Sequence, residues 1–399
     1  MKCFAMTLLV LGATTAGRAD ESTQAEVVRG NNRFALDLYG KVRDREGNIF
    51  FSPYSISTAL AMTYAGARGE TAAEMARTLR FEVPSEQLHP AFAAIGKALD
   101  AEGSKRGYRL SMANRLWGQQ GDHFLPDFLA LTRESYGAEL APVDFASQTA
   151  SARRAINSWV EQRTQSKIKD LIQPGDLTDR TRLVLTNAIY FKGRWSEPFE
   201  TGATEEANFH VDAKQDVRVP MMHRTSGLAY WAGDGLKVVA LPYSRGDLSM
   251  VILLPDKADG MEALEAGLTA KNLAKWLDGL RPNEVKVSLP RFATSSRFKL
   301  ADVLKAMGMS QAFSPGPSDF SGISTEEDLS LSEVIHQAFV DVNEEGTEAA
   351  AATAVVQSPP SPVPPPPVEF RADHPFVFLI RDKARGSILF LGRVANPRG

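Results

Sequence analysis

Residues 340–370 read VDVNEEGTEAAAATAVVQSPPSPVPPPPVEF, and the rest of the chain is best understood outward from this stretch. After Gly346 one alternating set is Thr347, Ala349, Ala351, Thr353 and Val355; the other is Glu348, Ala350, Ala352, Ala354 and Val356. A strand has a side-chain period of two, so each set would line one face. Every member of the first set is small or β-branched and uncharged, while the one charge, Glu348, falls on the opposite face. Such a segment can slide into the middle of a sheet without burying a charge. Its small side chains equally let it lie outside as an exposed loop. The sheet-compatible run stops at Pro359. Seven of the 23 prolines fall between 359 and 367, and each removes a backbone donor and fixes φ. Positions 347–358 would span about 40 Å at the usual strand rise, and a stiff polyproline arm follows them. An Ala/Pro linker between domains is the plainer alternative. Against it, the chain ends soon afterwards in what read as core strands.

Upstream, apolar spacing predicts helices. Phe34, Leu38 and Val42 recur at i, i+4 and i+8, and Ile56, Leu60 and Tyr64 repeat that spacing behind Ser52-Pro53, a good helix start. Gln87–Ala101 and Ser151–Thr164 read as further helices. Short apolar or alternating runs at Leu183–Phe191, Leu248–Leu254, Val285–Phe292, Phe376–Ile380 and Ile388–Leu391 read as strands. Helices gather early and strands late, which predicts an α+β fold rather than a doubly wound sheet. With no long internal linker, residues 30–399 form one large domain.

Composition excludes several functions. The 399 residues are 43% hydrophobic and carry a net charge of −3, without the basic surplus of a dedicated nucleic-acid or membrane-surface binder. The single cysteine, Cys3, rules out an intrachain disulfide and a Cys-based zinc or redox centre. Six scattered histidines show no i, i+4 pair and no HExxH spacing, so no metal site is expected. Neither a GxSxG elbow nor a GxxxxGK loop occurs, so a hydrolase reading has little support and no cofactor is implied. Arg245-Gly246-Asp247 lies between extended runs and reads as a turn. Helical residues 87–101 offer only Lys97 as a positive charge, and no heparin-type face is read there. Residues 1–19 combine one positive charge, a short apolar run and small residues before Asp20, the pattern of a secretory signal peptide cut after Ala19 or Ala16. Residues 20–29 would then be a tail, and the product extracellular or periplasmic.

Several longer motifs, in order, carry a resemblance. They are Asn48-Ile49-Phe50-Phe51-Ser52-Pro53-Tyr54-Ser55-Ile56, Thr186-Asn187-Ala188-Ile189-Tyr190-Phe191-Lys192-Gly193-Arg194-Trp195 and Leu241-Pro242-Tyr243. Leu289-Pro290-Arg291-Phe292, Asp319-Phe320-Ser321-Gly322-Ile323 and the closing run from Asp373-His374-Pro375-Phe376 to Asn396-Pro397 follow. Together they resemble the serpin family from about residue 30 to the C-terminus. The resemblance implies large mixed and antiparallel sheets, a cluster of about nine helices and an exposed reactive-centre loop over 346–370. It implies a monomeric protease inhibitor, not an enzyme, that works as a suicide substrate. A target serine protease acylates the loop, the loop inserts as a strand, and the covalent acyl complex is stranded.

Residue roles follow from the same resemblance. Glu344, Glu345, Gly346 and Thr347 would form the hinge, with Ala349, Ala351 and Thr353 entering behind them. Ser52, Ser55, Asn187 and His336 would form a polar cluster beneath the opening strands. Trp195 with the Arg291–Glu344 pair would mark the top, where insertion begins. The family's usual loop length places the reactive bond at Pro360–Ser361, whose amide is ordinary although its neighbours are X-Pro bonds. Val356–Gln357 is the chemically easier alternative. No Lys or Arg occurs from Gly346 to Phe370, so the expected target is elastase-like, subtilisin-like or post-proline cutting rather than trypsin-like. A non-inhibitory member with a binding, storage or chaperone role is the alternative.

Overall fold

In the computed structural model, residues 12–325, 328–347 and 366–399 are described, excepting the side chains of 12–20 and 101–106. Ser52 caps the first buried helix: its side chain accepts from the Ser55 N–H, and Pro53 occupies the first turn. That helix, α2 (Pro53–Tyr64), is buried almost all round from Pro53 to Thr63, the mark of a core helix rather than a surface one. Around it lie α1 (Gly12–Val42), α3 (Gly69–Leu79), α4 (Ser85–Arg106), α5 (Pro126–Tyr136) and α6 (Phe145–Arg163). Three short helices, α7 (Met261–Gly267), α8 (Ala270–Asp278) and α9 (Ala301–Ala306), complete nine among the described residues. Phe34, Leu38 and Val42 face the core as their spacing predicts. Helix α1 also carries residues 20–29, and Val27 and Val28 are buried there. Its backbone runs through both Ala16 and Ala19.

Two sheets dominate the fold. One contains β1 (Ile49–Phe51), β5 (Glu205–His210), β6 (Asp216–Gly233), β7 (Leu236–Pro242), β8 (Leu248–Pro255), β9 (Arg281–Pro290), β13 (Val368–Arg371), β14 (Phe376–Asp382) and β15 (Ile388–Val394). Its backbone order is β1-β15-β14-β8-β7-β6-β9-β13, with β5 on β6. The other contains β2 (Tyr108–Gln119), β3 (Ala141–Val143), β4 (Leu183–Arg194), β10 (Phe292–Lys299), β11 (Glu333–Val342) and β12 (Gly346–Thr347), ordered β10-β11-β4-β2-β3 with β12 on β4. Strand β4 is buried from Leu183 to Phe191, so it reads as a continuous apolar run rather than an alternating one. The architecture is the expected α+β fold with large mixed sheets.

One expected strand divides. Val285–Phe292 is two strands in two sheets: β9 ends at Pro290, paired with Met221, and β10 begins at Phe292, paired with Val342. Between them Arg291 belongs to neither ladder and donates its N–H to the Pro220 carbonyl at 2.8 Å. A run of apolar residues cannot reveal such a corner, because both halves have strand character. The sequence reading contains no strand at β2, because its mixed charged and apolar residues hide its long pairing with β4. The Arg-Gly-Asp stretch is the expected turn, a short 3-10 segment over Ser244–Gly246 joining β7 to β8.

Candidate functional site

The six-stranded sheet is closed at the bottom and parted at the top. Parallel pairing of β11 with β4 runs from Glu333↔Val184 to Phe339↔Tyr190 and stops. Above that point Val340–Val342 continue to pair with β10 on the other side. The chain turns at Asn343–Gly346 and comes back down as β12, where Gly346 and Thr347 pair antiparallel with Arg194 and Gly193 of β4. Gly346 is required at this crossing. Its φ is +143°, and a Cβ there would sit 2.2 Å from the Gly193 carbonyl oxygen. Thr347 is fully buried, and its hydroxyl lies 3.2 Å from the Tyr243 hydroxyl.

Trp195 roofs the opening. Its ring stacks on Tyr243 at 4.6 Å between centroids, and its indole N–H donates to the Asn343 carbonyl at 3.0 Å. Its backbone N–H donates to the Glu345 carbonyl at 3.0 Å, and the Phe199 N–H donates to the Glu344 carbonyl at 2.8 Å. The Glu344 carboxylate is itself buried, accepting from the Arg291 guanidinium and from the Thr204 hydroxyl at 2.7 Å. Burial pushes this carboxyl up, but the bonds from Arg291 and Thr204 outweigh it and hold the pKa below the ordinary value. Glu345 contributes mainly backbone, donating its N–H to the Asn343 side chain at 3.1 Å.

Lower down, four residues from three distant parts of the chain converge. The Ser52 N–H donates to His336 Nε2 at 3.1 Å, and the Ser52 hydroxyl donates to the Leu389 carbonyl at 2.6 Å. Asn187 Nδ2 donates to the Ser55 carbonyl at 2.9 Å, to Ser55 Oγ at 2.7 Å and to Asn114 Oδ1 at 2.5 Å. His336 Nδ1 contacts Asn187 Oδ1, an acceptor, so the imidazole proton resides on Nδ1 and Nε2 is free to accept from Ser52. The network thereby joins the start of α2 to β4, β11, β2 and β15. Ser52, Ser55, Asn187 and His336 are all fully buried.

Burial drives the His336 pKa from 6.5 down to about 3, against an opposing upward pull from Asn187. A second ring proton would point at the Ser52 N–H and lose that bond. Because the folded state resists the proton, this contribution to stability is complete above pH 6.5 and is lost as the pH falls towards 3. The melting temperature of the wild-type protein is expected to drop more steeply between those limits than that of His336→Gln. Equal slopes in parallel thermal melts across the range would count against this role.

The structure brings together Glu344, Glu345, Gly346, Thr347, Trp195 and Arg291 at the top, and Ser52, Ser55, Asn187 and His336 below. Ala349, Ala351, Thr353, Val356, Gln357, Pro360 and Ser361 lie outside the described residues. Sequence reading missed Tyr243, Thr204 and Asn114. Tyr243 sat within a quoted motif without a role. Asn114 had a usable signal: it interrupts the alternating row Leu110, Met112, Leu116, where a lone polar side chain needs a partner. Among the described residues no cluster of His, Cys, Asp and Glu is placed to hold a metal ion, and no helix is long and apolar enough to cross a membrane.

Comparison with known proteins agrees with this geometry. A family model described as Serpin (serine protease inhibitor) matches residues 29–397. Leukocyte elastase inhibitor of Bos taurus is 45% identical over 377 residues, covering 92% of this chain and 98% of that protein. Among solved structures, a serpin described as highly specific in the insect Tenebrio molitor is 34% identical with a TM-score of 0.83, covering 93% of this chain and 98% of that one. Human thyroxine-binding globulin complexed with thyroxine is 33% identical with a TM-score of 0.86, covering 94% of this chain and all of that one.

Proposed function

This chain belongs to the serpin family of serine protease inhibitors, and from that premise we propose that it inhibits as a suicide substrate through the segment beginning at Gly346. The target's catalytic serine attacks a carbonyl in the loop, the acyl–oxygen bond forms, and the peptide C–N bond breaks with the proton passing to the leaving amine. The freed upstream segment then follows Thr347 into the parted sheet as a strand antiparallel to β4 and β11. The acyl-enzyme is dragged with it and its active site is distorted before water completes hydrolysis. Added strand pairing and apolar burial supply the driving force, so the native fold is kinetically held above its final state.

The observation that carries the reading is the split in the long sheet, with Gly346 and Thr347 already seated at its mouth. The alternating small residues behind them are what such a slot accepts. The reactive bond assigned is Pro360–Ser361, with Val356–Gln357 as the alternative. The leukocyte elastase inhibitors among the relatives favour an elastase-like target, in keeping with a loop lacking basic residues. Export with loss of residues 1–19 is part of the proposal and rests on the apolar run there. Mass spectrometry of protein recovered from the medium should give the product starting at Asp20 or Gly17.

Incubation with a panel of elastase-like, subtilisin-like and post-proline proteases should give a complex stable in SDS and a released C-terminal peptide. The mass of that peptide assigns the bond. Loop cleavage by every active protease with no complex would overturn the inhibitory reading. A thyroxine-binding neighbour of equal structural similarity keeps a second reading in view, a serpin that binds rather than inhibits. Cleavage without a rise in thermal stability is the result that reading requires.

A further inference from the structure

A cavity of about 580 Å³ opens between the β6–β7 turn, the turn after β8, α7 and α8. None of its lining belongs to the six-stranded sheet. Its floor is apolar: Leu236, Pro255, Leu264 and Trp276 are all buried. The space exists because side chains are missing from it. A Cβ on Gly235 would meet nothing within 4 Å, and one on Gly267 would meet only the Asn272 amide nitrogen, at 4.0 Å. One wall is firmly pinned. Asp234, at the β6–β7 turn, accepts from Lys275 Nζ at 2.6 and 2.9 Å and from the Trp276 indole N–H at 3.1 Å. Those bonds, from Lys275 and then Trp276, hold the Asp234 carboxyl below its ordinary pKa, so this acid is already spent.

Three polar groups in the lining are not spent. Asp256 and Lys257 are adjacent, exposed and opposite in charge, yet among the described residues neither forms an ion pair, with the other or elsewhere. Their backbone is fixed: the Asp256 N–H donates to the Gly235 carbonyl, and the Lys257 carbonyl accepts from the Gly260 N–H, both at 2.9 Å. Asn272 donates Nδ2 to the Gly267 carbonyl at 2.8 Å, which leaves its Oδ1 as an acceptor. An apolar floor with a few convergent polar groups is the form a small-molecule site takes. A carboxylate and an amide oxygen suit an ammonium, and the lysine suits a carboxylate, through charge-assisted hydrogen bonds. A plain amine would leave Lys257 unanswered, and a plain acid would leave Asp256 so. A zwitterion answers both. We propose that this cavity binds a free α-amino acid with a large apolar side chain. Its ammonium meets Asp256 and Asn272, its carboxylate meets Lys257, and its side chain covers Leu236, Leu264 and Trp276.

Calorimetric titration of the intact protein with L-phenylalanine tests the site. Phenethylamine and hydrocinnamate, which keep the ring but lack the carboxylate or the ammonium, are the comparison probes. Saturable binding of one phenylalanine per chain is expected, at least tenfold tighter than that of either comparison probe. Asp256→Asn should weaken phenylalanine binding at least tenfold. Lys257→Gln should weaken it similarly while leaving phenethylamine unchanged, which separates the two charged contacts. Ala263→Trp, at an exposed position of the lining on α7, should fill the cavity and abolish binding, while Lys271→Gln, on the exposed face of α8, should not. All four positions are exposed, so none of these variants removes a core side chain. No saturable binding of phenylalanine, equal affinity for all three probes, or unchanged affinity in Asp256→Asn overturns the proposal. No protease is involved, so this result is separate from that of the inhibition assay.

Discussion

Thr347→Arg is expected to turn an inhibitor into a substrate. The side chain at 347 is fully buried in the mouth of the sheet, against the Tyr243 hydroxyl at 3.2 Å and beneath the stacked Trp195–Tyr243 pair. Tyr243 is itself fully buried, and burial raises its pKa well above 10, so it stays a neutral phenol at any working pH. An arginine there would bring an unpaired charge into a slot lined by aromatic carbon and neutral hydroxyls. Keeping such a charge buried costs at least about 3 kcal/mol, and if that cost falls on the insertion step it slows loop capture about a hundredfold. Hydrolysis of the acyl-enzyme is untouched and wins the competition. Gel assays should show the loop cut at an unchanged rate, the SDS-stable complex lost, and many molecules consumed per protease silenced. Thr347→Val, which keeps the shape and removes the hydroxyl bond, should retain most trapping. A Thr347→Arg variant that still forms the complex in full yield would sink the insertion mechanism.

How much of this was legible in the sequence differs from element to element. The insertable pattern after Gly346 was readable from elementary periodicity, because alternation of small uncharged residues is a local property, whereas the hinge role came from the resemblance. The helix at 53–64 was equally local, its cap and first-turn proline being adjacent to its apolar face. The corner at Arg291 was not, since what divides β9 from β10 is the choice of sheet, a matter of distant partners. The buried network is the extreme case. Ser52 and His336 meet across nearly the whole domain, and nothing near either residue distinguishes it from an ordinary polar side chain. Only the family resemblance brought them together in advance, and it did so without Asn114 or Thr204. Those two complete acceptor and donor counts, and hydrogen-bond accounting needs coordinates. The cavity beside α8 was invisible for the same reason: its walls come from separate elements.

Asn187→Ala is expected to loosen the sheet from below as strongly as Thr347→Arg blocks it from above. The Asn187 amide is the hub of the buried network, donating to Ser55 and Asn114 and accepting from His336. Its removal strands the buried His336 N–H, at about 1–3 kcal/mol for an unsatisfied group, and leaves the Ser55 carbonyl only its weaker bond from Asn114. A loss of about 1–3 kcal/mol should lower the melting temperature by about 1–4 °C in a chain of this size. The location of the loss matters as much as its size. β11 and β4 separate just above Phe339↔Tyr190, and Asn187↔His336 is a rung three residues below that fork. Weakening that rung favours parting of the strands with the loop uncut. Asn187→Ala protein held at 37 °C should therefore lose inhibitory capacity faster than wild type, and the inactive fraction should be more heat-stable than the starting material. A double-mutant cycle with His336→Gln separates this from general destabilisation, because residues that share one network couple. Additive losses in the cycle, or inactivation that yields only unfolded protein, would show that Asn187 contributes packing alone and does not latch the sheet.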